Sequence, residues 1–146
     1  MAKTRLFIDS DIIIDLLAKR EHYSSAAQLF RLVDAQIVEG CTTPIVLANV
    51  EYIIHKYSGK VRAKKAIQKL LTTVNVLSMN HSMAKTAAES NFPDFEDAMQ
   101  YYAAEHGKVD FIITRNKSDY SRGTIAVLTA AEFIDMHSAT ENRPEA

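Results

Sequence analysis

Acidic residues interrupt apolar stretches of this chain at four places, and they are where chemistry can be sought. Asp9 ends the run Leu6-Phe-Ile and opens the next helical segment, the position at which open α/β sheets collect their ligands. Glu51 lies inside Ile45-Val-Leu-Ala-Asn-Val-Glu51-Tyr-Ile-Ile, Asp94 and Asp97 inside Pro93-Asp-Phe-Glu-Asp-Ala-Met, and Asp119 follows Ile112-Ile-Thr-Arg-Asn-Lys-Ser. A carboxylate in apolar surroundings is costly unless something pairs with it, and a divalent cation shared among several acids is one such partner.

Each acid also has a purely structural reading. Asp9 is a good helix N-cap, but Asp11 and Asp15 add like charge within two turns, which costs stability unless something cationic relieves it. Glu51 shares a helical face with Leu47 and Ile54, where an unpaired carboxylate would shift its pKa; its structural alternative is a salt bridge to a nearby Lys or Arg. His55, one turn on, is an extra candidate, with a surface or packing role as its structural alternative. Asp94 and Asp97, three apart at a helix start, both gain from the positive end of the helix dipole. Asp94 is the better placed to cap, which leaves Asp97 for chemistry. The polar groups of Thr114-Arg-Asn116-Lys-Ser-Asp119 emerge at the same sheet edge as Asp9 if the two strands are parallel, although Asn and Asp are also ordinary loop residues.

The elements that must position these groups follow from patterning. Leu6-Phe-Ile, Gly40-Cys-Thr-Thr, Val74-Asn-Val-Leu, Asp110-Phe-Ile-Ile and Ile125-Ala-Val-Leu read as strands. Helices are expected from Ser10 or Asp11, over Tyr23–Val33, from Pro44 to Tyr57, over Val61–Leu71, Ser82–Ala88, Asp94–Glu105 and Thr129–Met136. Short strands alternating with helices argue for an α/β fold, a central parallel sheet of about five strands with helices on both faces. The chain reads as one domain over residues 1–137 and a polar, disordered tail over 138–146.

A composition of 47% hydrophobic and 24% charged residues is that of an ordinary soluble globular protein. The apolar run before Asp9 is too short for a signal peptide or a membrane span, and the lone Cys41 cannot form an internal disulfide. Both point to the cytoplasm. The net charge of −1 conceals an asymmetry: between Glu51 and Glu89 there is no acid but seven Lys or Arg. Lys60, Arg62, Lys64, Lys65 and Lys69 decorate an amphipathic helix, either as phosphate-binding surface or as a solvated face.

Taken together the segments resemble the PIN domain, in particular the VapC-type toxins of bacterial toxin–antitoxin modules, from Leu6 to about Phe133. Ile8-Asp9-Ser10-Asp11 resembles the family's opening Asp-Thr-Asn, and Leu47-Ala-Asn-Val-Glu51 its glutamate helix. Asp94-Phe-Glu-Asp97-Ala-Met resembles the Asp-Ala helix, and Ile113-Thr114-Arg-Asn116-Lys-Ser-Asp119-Tyr120 its Thr-Arg-Asn/Asp segment. The resemblance implies a three-layer sandwich, Mg²⁺ or Mn²⁺ held by Asp9, Glu51, Asp97 and Asp119, and hydrolysis of RNA phosphodiesters by metal-activated water. Ser10, Thr114 and Asn116 would support the ligands; Asp11, a carboxylate where the family has Asn, is either an added ligand or a cap. It also implies a cognate antitoxin and a homodimer. Two rivals remain: a haloacid-dehalogenase-like phosphatase, from the Asp9-Ser-Asp11 pattern after a strand, and a PIN fold kept as an inactive RNA- or protein-binding module.

Overall fold

Leu6, Phe7 and Ile8 are wholly buried in β1 (Arg5–Ile8), as expected of a parallel strand covered by helices on both faces, which reads as an unbroken apolar run. In the computed structural model, which describes residues 2–141, β1 is the central strand of a five-stranded parallel sheet. The others are β2 (Glu39–Thr42), β3 (Asn75–Val76), β4 (Phe111–Ile113) and β5 (Ala126–Leu128), in the order β3-β2-β1-β4-β5. The chain moves outward from β1 to β2 and β3, then returns to lay β4 on the other side of β1. That reversal creates a crevice outside the carboxyl ends of β1 and β4.

The connections are helical: α1 (Ser10–Leu17), α2 (Tyr23–Asp34), α3 (Pro44–Ser58), α4 (Lys60–Leu70), α5 (His81–Glu89), α6 (Phe95–His106) and, after β5, α7 (Ala130–Glu141). A right-handed crossover, the rule for parallel strands, sends helices made on the outward path and on the return to opposite faces of a sheet. Accordingly α1 packs on α2 and α3, α2 on α7, α3 on α4, and α5 on α6. Gly59 joins α3 to α4 at φ +88°, a left-handed conformation for which glycine has no Cβ penalty. Because α6 feeds β4 through a short link, its first turn lies at the carboxyl edge of the sheet, level with the end of β1.

One boundary departs from expectation. The last helix continues past Met136 to Glu141, so residues 138–141, assigned from sequence to a loose tail, are helical. Thr129 and Glu132 bond each other's backbone N–H groups at 3.1 and 2.9 Å, a capping box that starts the helix firmly, and no Gly or Pro lies between Met136 and Glu141 to stop it. Residues 142–146 of the expected tail lie outside the described residues. Among the described residues no helix is long and apolar enough to cross a membrane. Cys41 is buried in β2, and burial pushes its thiol up to about 11.

Candidate active site at the carboxyl edge of the sheet

Asp9 is the N-cap of α1, and its two carboxylate oxygens have different partners. Oδ1 accepts the Ser10 backbone N–H at 2.8 Å, while Oδ2 accepts the hydroxyls of Thr114 at 3.1 Å and Tyr120 at 3.0 Å. Thr114 follows β4, and Tyr120 ends a short 3-10 turn over Lys117–Tyr120. The register that pairs Ile8 with Ile113, and the bond from Asp9 N–H to the Ile113 carbonyl, bring these groups together. Asp9 is only 9% exposed. Burial first, and then the charge of Asp11, raise its pKa to about 6, against the opposing pull of its three donors.

Asp11 anchors the loop after β4. Its Oδ2 accepts from the Thr114 hydroxyl at 3.3 Å, the Arg115 backbone N–H at 2.9 Å and the Asn116 side-chain amide at 3.3 Å. Its Oδ1 is buried and, among the described residues, has no hydrogen-bond partner. A carboxylate tied down in this way is not the freely disposed general acid of the Asp-x-Asp phosphatase reading. Asp15, one turn on and wholly buried, receives Arg115 through Nε at 2.9 Å and Nη2 at 3.3 Å. This is the cation that relieves the acid-rich start of α1. Nothing in the spacing of Arg115 marked it for that role.

Asp94 caps α6, accepting the Asp97 backbone N–H at 2.9 Å. Asp97, half-buried one turn into the helix, has its pKa raised to about 7, by burial first and then by the charges of Asp119, Asp94, Asp9 and Glu96. Every charge named there is negative. Asp9, Asp97 and Asp119 therefore share one field at the sheet edge, and burial together with Asp9 and Asp97 also raises the Tyr120 phenol. Ser10 contributes its backbone N–H to Asp9, and Asn116 its amide to Asp11.

Glu51 is not brought to this group. Its Oε1 lies 3.2 Å from His55 Nδ1, and it shares a shallow groove between α3 and α4 with Leu47, Lys64 and Ile67. The α3 residue that faces the acids is Asn49, whose Nδ2 donates to Glu96 Oε1 at 2.7 Å. Asn49 and Glu51 flank opposite sides of the buried line Val46, Val50 and Ile54. The sequence shows that two sides exist, but not which of them meets α6. Thr43 reinforces the contact: it caps α3 and donates its hydroxyl to the buried Gln100 side chain on α6.

The donors are hard oxygens, suited to Mg²⁺ or Mn²⁺. The all-negative field at Asp97 and the unpartnered Asp11 Oδ1 fit a dication as counter-charge. Among the described residues, however, no three carboxylate, imidazole or thiol groups stand close enough to hold one ion directly. The four expected ligands are thus not gathered round one point in this structure. Mg²⁺ characteristically keeps several waters and takes one or two protein carboxylates, and like charges hold themselves apart without a cation. The basic residues of α4 are exposed, and among the described residues none of them forms an ion pair.

Comparison with known proteins places this geometry. Ribonuclease VapC1 of Aquifex aeolicus (strain VF5) is 26% identical over 144 residues, which cover 92% of this chain and 96% of that protein. Among solved structures, a toxin–antitoxin complex from Klebsiella pneumoniae gives a TM-score of 0.65 at 23% identity over 86% of this chain and 97% of that one. VapBC2 from Rickettsia felis, solved with a DNA fragment from its promoter, gives 0.68 at 14% identity over 86% and 98%. Likenesses at such identity speak for the fold. The model of the PIN domain matches residues 5–118, the greater part of the sequence and the span that carries Asp9, Asp97 and Thr114. The chain belongs to the PIN domain family.

Proposed function

We propose that this protein is a divalent-metal-dependent endoribonuclease that serves as the toxin of a toxin–antitoxin pair in the cytoplasm. The observation that carries the reading is Asp9 at the switch point of the sheet, buried and held by Thr114 and Tyr120, with the Asp97 carboxyl pushed up by burial and by the negative charges around it. Asp9 and Asp97 would hold Mg²⁺ or Mn²⁺, with Asp119 completing the acidic wall. When bound, such an ion makes a water more acidic and offsets charge developing on a phosphate. The chain's own part is orientation. Two hydroxyls and a backbone N–H fix both Asp9 oxygens, while Asp11 ties down the loop that delivers Thr114.

The similarity to a ribonuclease named VapC1 supports RNA as the substrate. The toxin–antitoxin complex among similar structures supports an antitoxin partner, and a homodimer remains the expected assembly. Asp9→Asn keeps a capping side chain, so it is expected to lower Mn²⁺-dependent RNA cleavage at least about 100-fold with the fold intact. Undiminished cleavage would refute the assignment. For α4, Lys64→Glu with Lys65→Glu is expected to weaken RNA binding and to flatten its salt dependence by roughly 0.7 in log–log slope for each phosphate no longer neutralised. An unchanged slope would return these lysines to a solvated face.

A further inference from the structure

Asp9 belongs to the end of β1 and Tyr120 to the 3-10 turn that reaches back to it, yet the turn itself is anchored from α6. The anchor is Tyr101, one helical turn beyond Asp97 on the same side of α6 and only 3% exposed. Its hydroxyl accepts the Thr124 N–H at 2.8 Å and lies 3.3 Å from Thr124 Oγ1. The residue before, Gly123, rests on the ring itself: a Cβ there would overlap two of the ring carbons. Position 123 is glycine because there is no room for more. Nor is the ring free to swing away, since it packs on Phe92 and Tyr102 with centroids 5.0 and 5.3 Å apart.

From this peg a chain of bonds leads to Asp9. The Gly123 N–H donates to the Tyr120 carbonyl at 3.1 Å and the Ser121 N–H to that of Ser118 at 3.2 Å, so the loop and the turn form one bonded piece. The Tyr120 hydroxyl then donates to Asp9 Oδ2 at 3.0 Å. Ser121, Arg122 and Thr124 are exposed, and a loop with so little burial opens easily unless something else holds it. We infer that Tyr101, seated on Gly123, is a positioning residue: it fixes the turn that ends in Tyr120, and through Tyr120 the Asp9 carboxylate. This rests on the ribonuclease reading above. Small displacements set up far from the reacting atoms are costly to rate, which is why a peg outside the site matters to it.

The alternative is a peg that adds stability and nothing more. Labelling the tyrosines with ¹³C at Cζ separates the two in the metal-free chain, the Tyr120 signal being identified by its loss in Tyr120→Phe. Gly123→Ala must push the loop off the ring, so it is expected to move the Tyr120 signal, as Asp9→Asn does. It should also lower kcat for Mn²⁺-dependent RNA cleavage about 10-fold with KM within about 2-fold, the scale on which supporting residues act. Placed together with Tyr120→Phe it should cost little beyond the slower single variant, because both act through the same bond. Tyr101→Phe keeps the ring and frees only the Thr124 N–H, so it should move the signal less and lower kcat by a smaller factor; it decides the matter if Gly123→Ala does not fold. Melting temperatures that fall while the Tyr120 signal stays put, a signal that moves while kcat holds, or losses that multiply in the double variant would each overturn the inference. Asp9→Asn is the control. If it abolishes cleavage while Gly123→Ala and Tyr101→Phe leave kcat intact, the role of Tyr101 fails and the metal reading stands; if Asp9→Asn cleaves undiminished, the metal reading itself fails.

Discussion

Asp9 and Asp15 lie within two turns of one another, both buried, yet their surroundings are opposite. Asp15 meets the Arg115 guanidinium in a two-pronged pair, whereas Asp9 meets two hydroxyls, one backbone N–H and the charge of Asp11. Burial alone does not make a site. The aspartate with a full counter-charge is committed to structure, and the one held only by neutral donors keeps its affinity for a cation. Arg115 links the two regions, since its side chain serves Asp15 while its backbone N–H serves Asp11.

The largest effect expected on stability comes from removing that counter-charge. Arg115→Met strands a buried carboxylate, a change that costs about 3 kcal/mol where an ion pair is broken from one side. Denaturant unfolding should show it, and a loss below about 1 kcal/mol would mean that Asp15 had found water or a proton at little cost. Asp9→Asn, by contrast, should leave stability equal or higher, because it removes a charge that burial disfavours.

The next effect depends on pH in the metal-free chain. Asp9 has its pKa raised from 3.8 to about 6, so the folded state holds a proton that the unfolded state has released. Stability from this group is full below the unfolded value and is lost as pH rises through the folded one. Asp97, raised to about 7, acts in the same direction but is half-exposed and contributes less. In the presence of a chelator, stability should fall on the order of 2 kcal/mol as pH rises through this window. Asp9→Asn should flatten most of the fall, and saturating Mn²⁺ should oppose it. A rise in stability across the window would contradict the burial of Asp9 as a charge.

The smallest effect concerns the hydroxyls. Tyr120→Phe removes one donor from Asp9 Oδ2 while Thr114 keeps the other. It should cost about 1 kcal/mol of stability and about 10-fold in cleavage. Equal activity in Tyr120→Phe would show that Thr114 orients Asp9 alone.

Much of this arrangement was legible in the sequence, for identifiable reasons. β1 announced itself because a strand buried on both faces must be apolar throughout, and Pro44 and Gly59 bracketed α3 through their backbone constraints. Asp94 as cap and Asp97 one turn in followed from helix-end chemistry. What could not be read was orientation around α3. Glu51 attracted attention as the carboxylate in an apolar segment, but Asn49 two residues earlier bonds Glu96 of α6, and only the packing of α3 on α4, which takes up the Glu51 side, decides between them. The Arg115–Asp15 pair was equally hidden, because it joins residues a hundred positions apart.

Anomalous diffraction from crystals equilibrated with Mn²⁺ tests most directly whether Asp9 and Asp97 form the metal centre. The predicted result is a peak at the carboxyl edge of the sheet, within coordinating reach of Asp9 and Asp97, and none beside Glu51. A peak at Glu51, or none at Asp9 under saturating Mn²⁺, would contradict it.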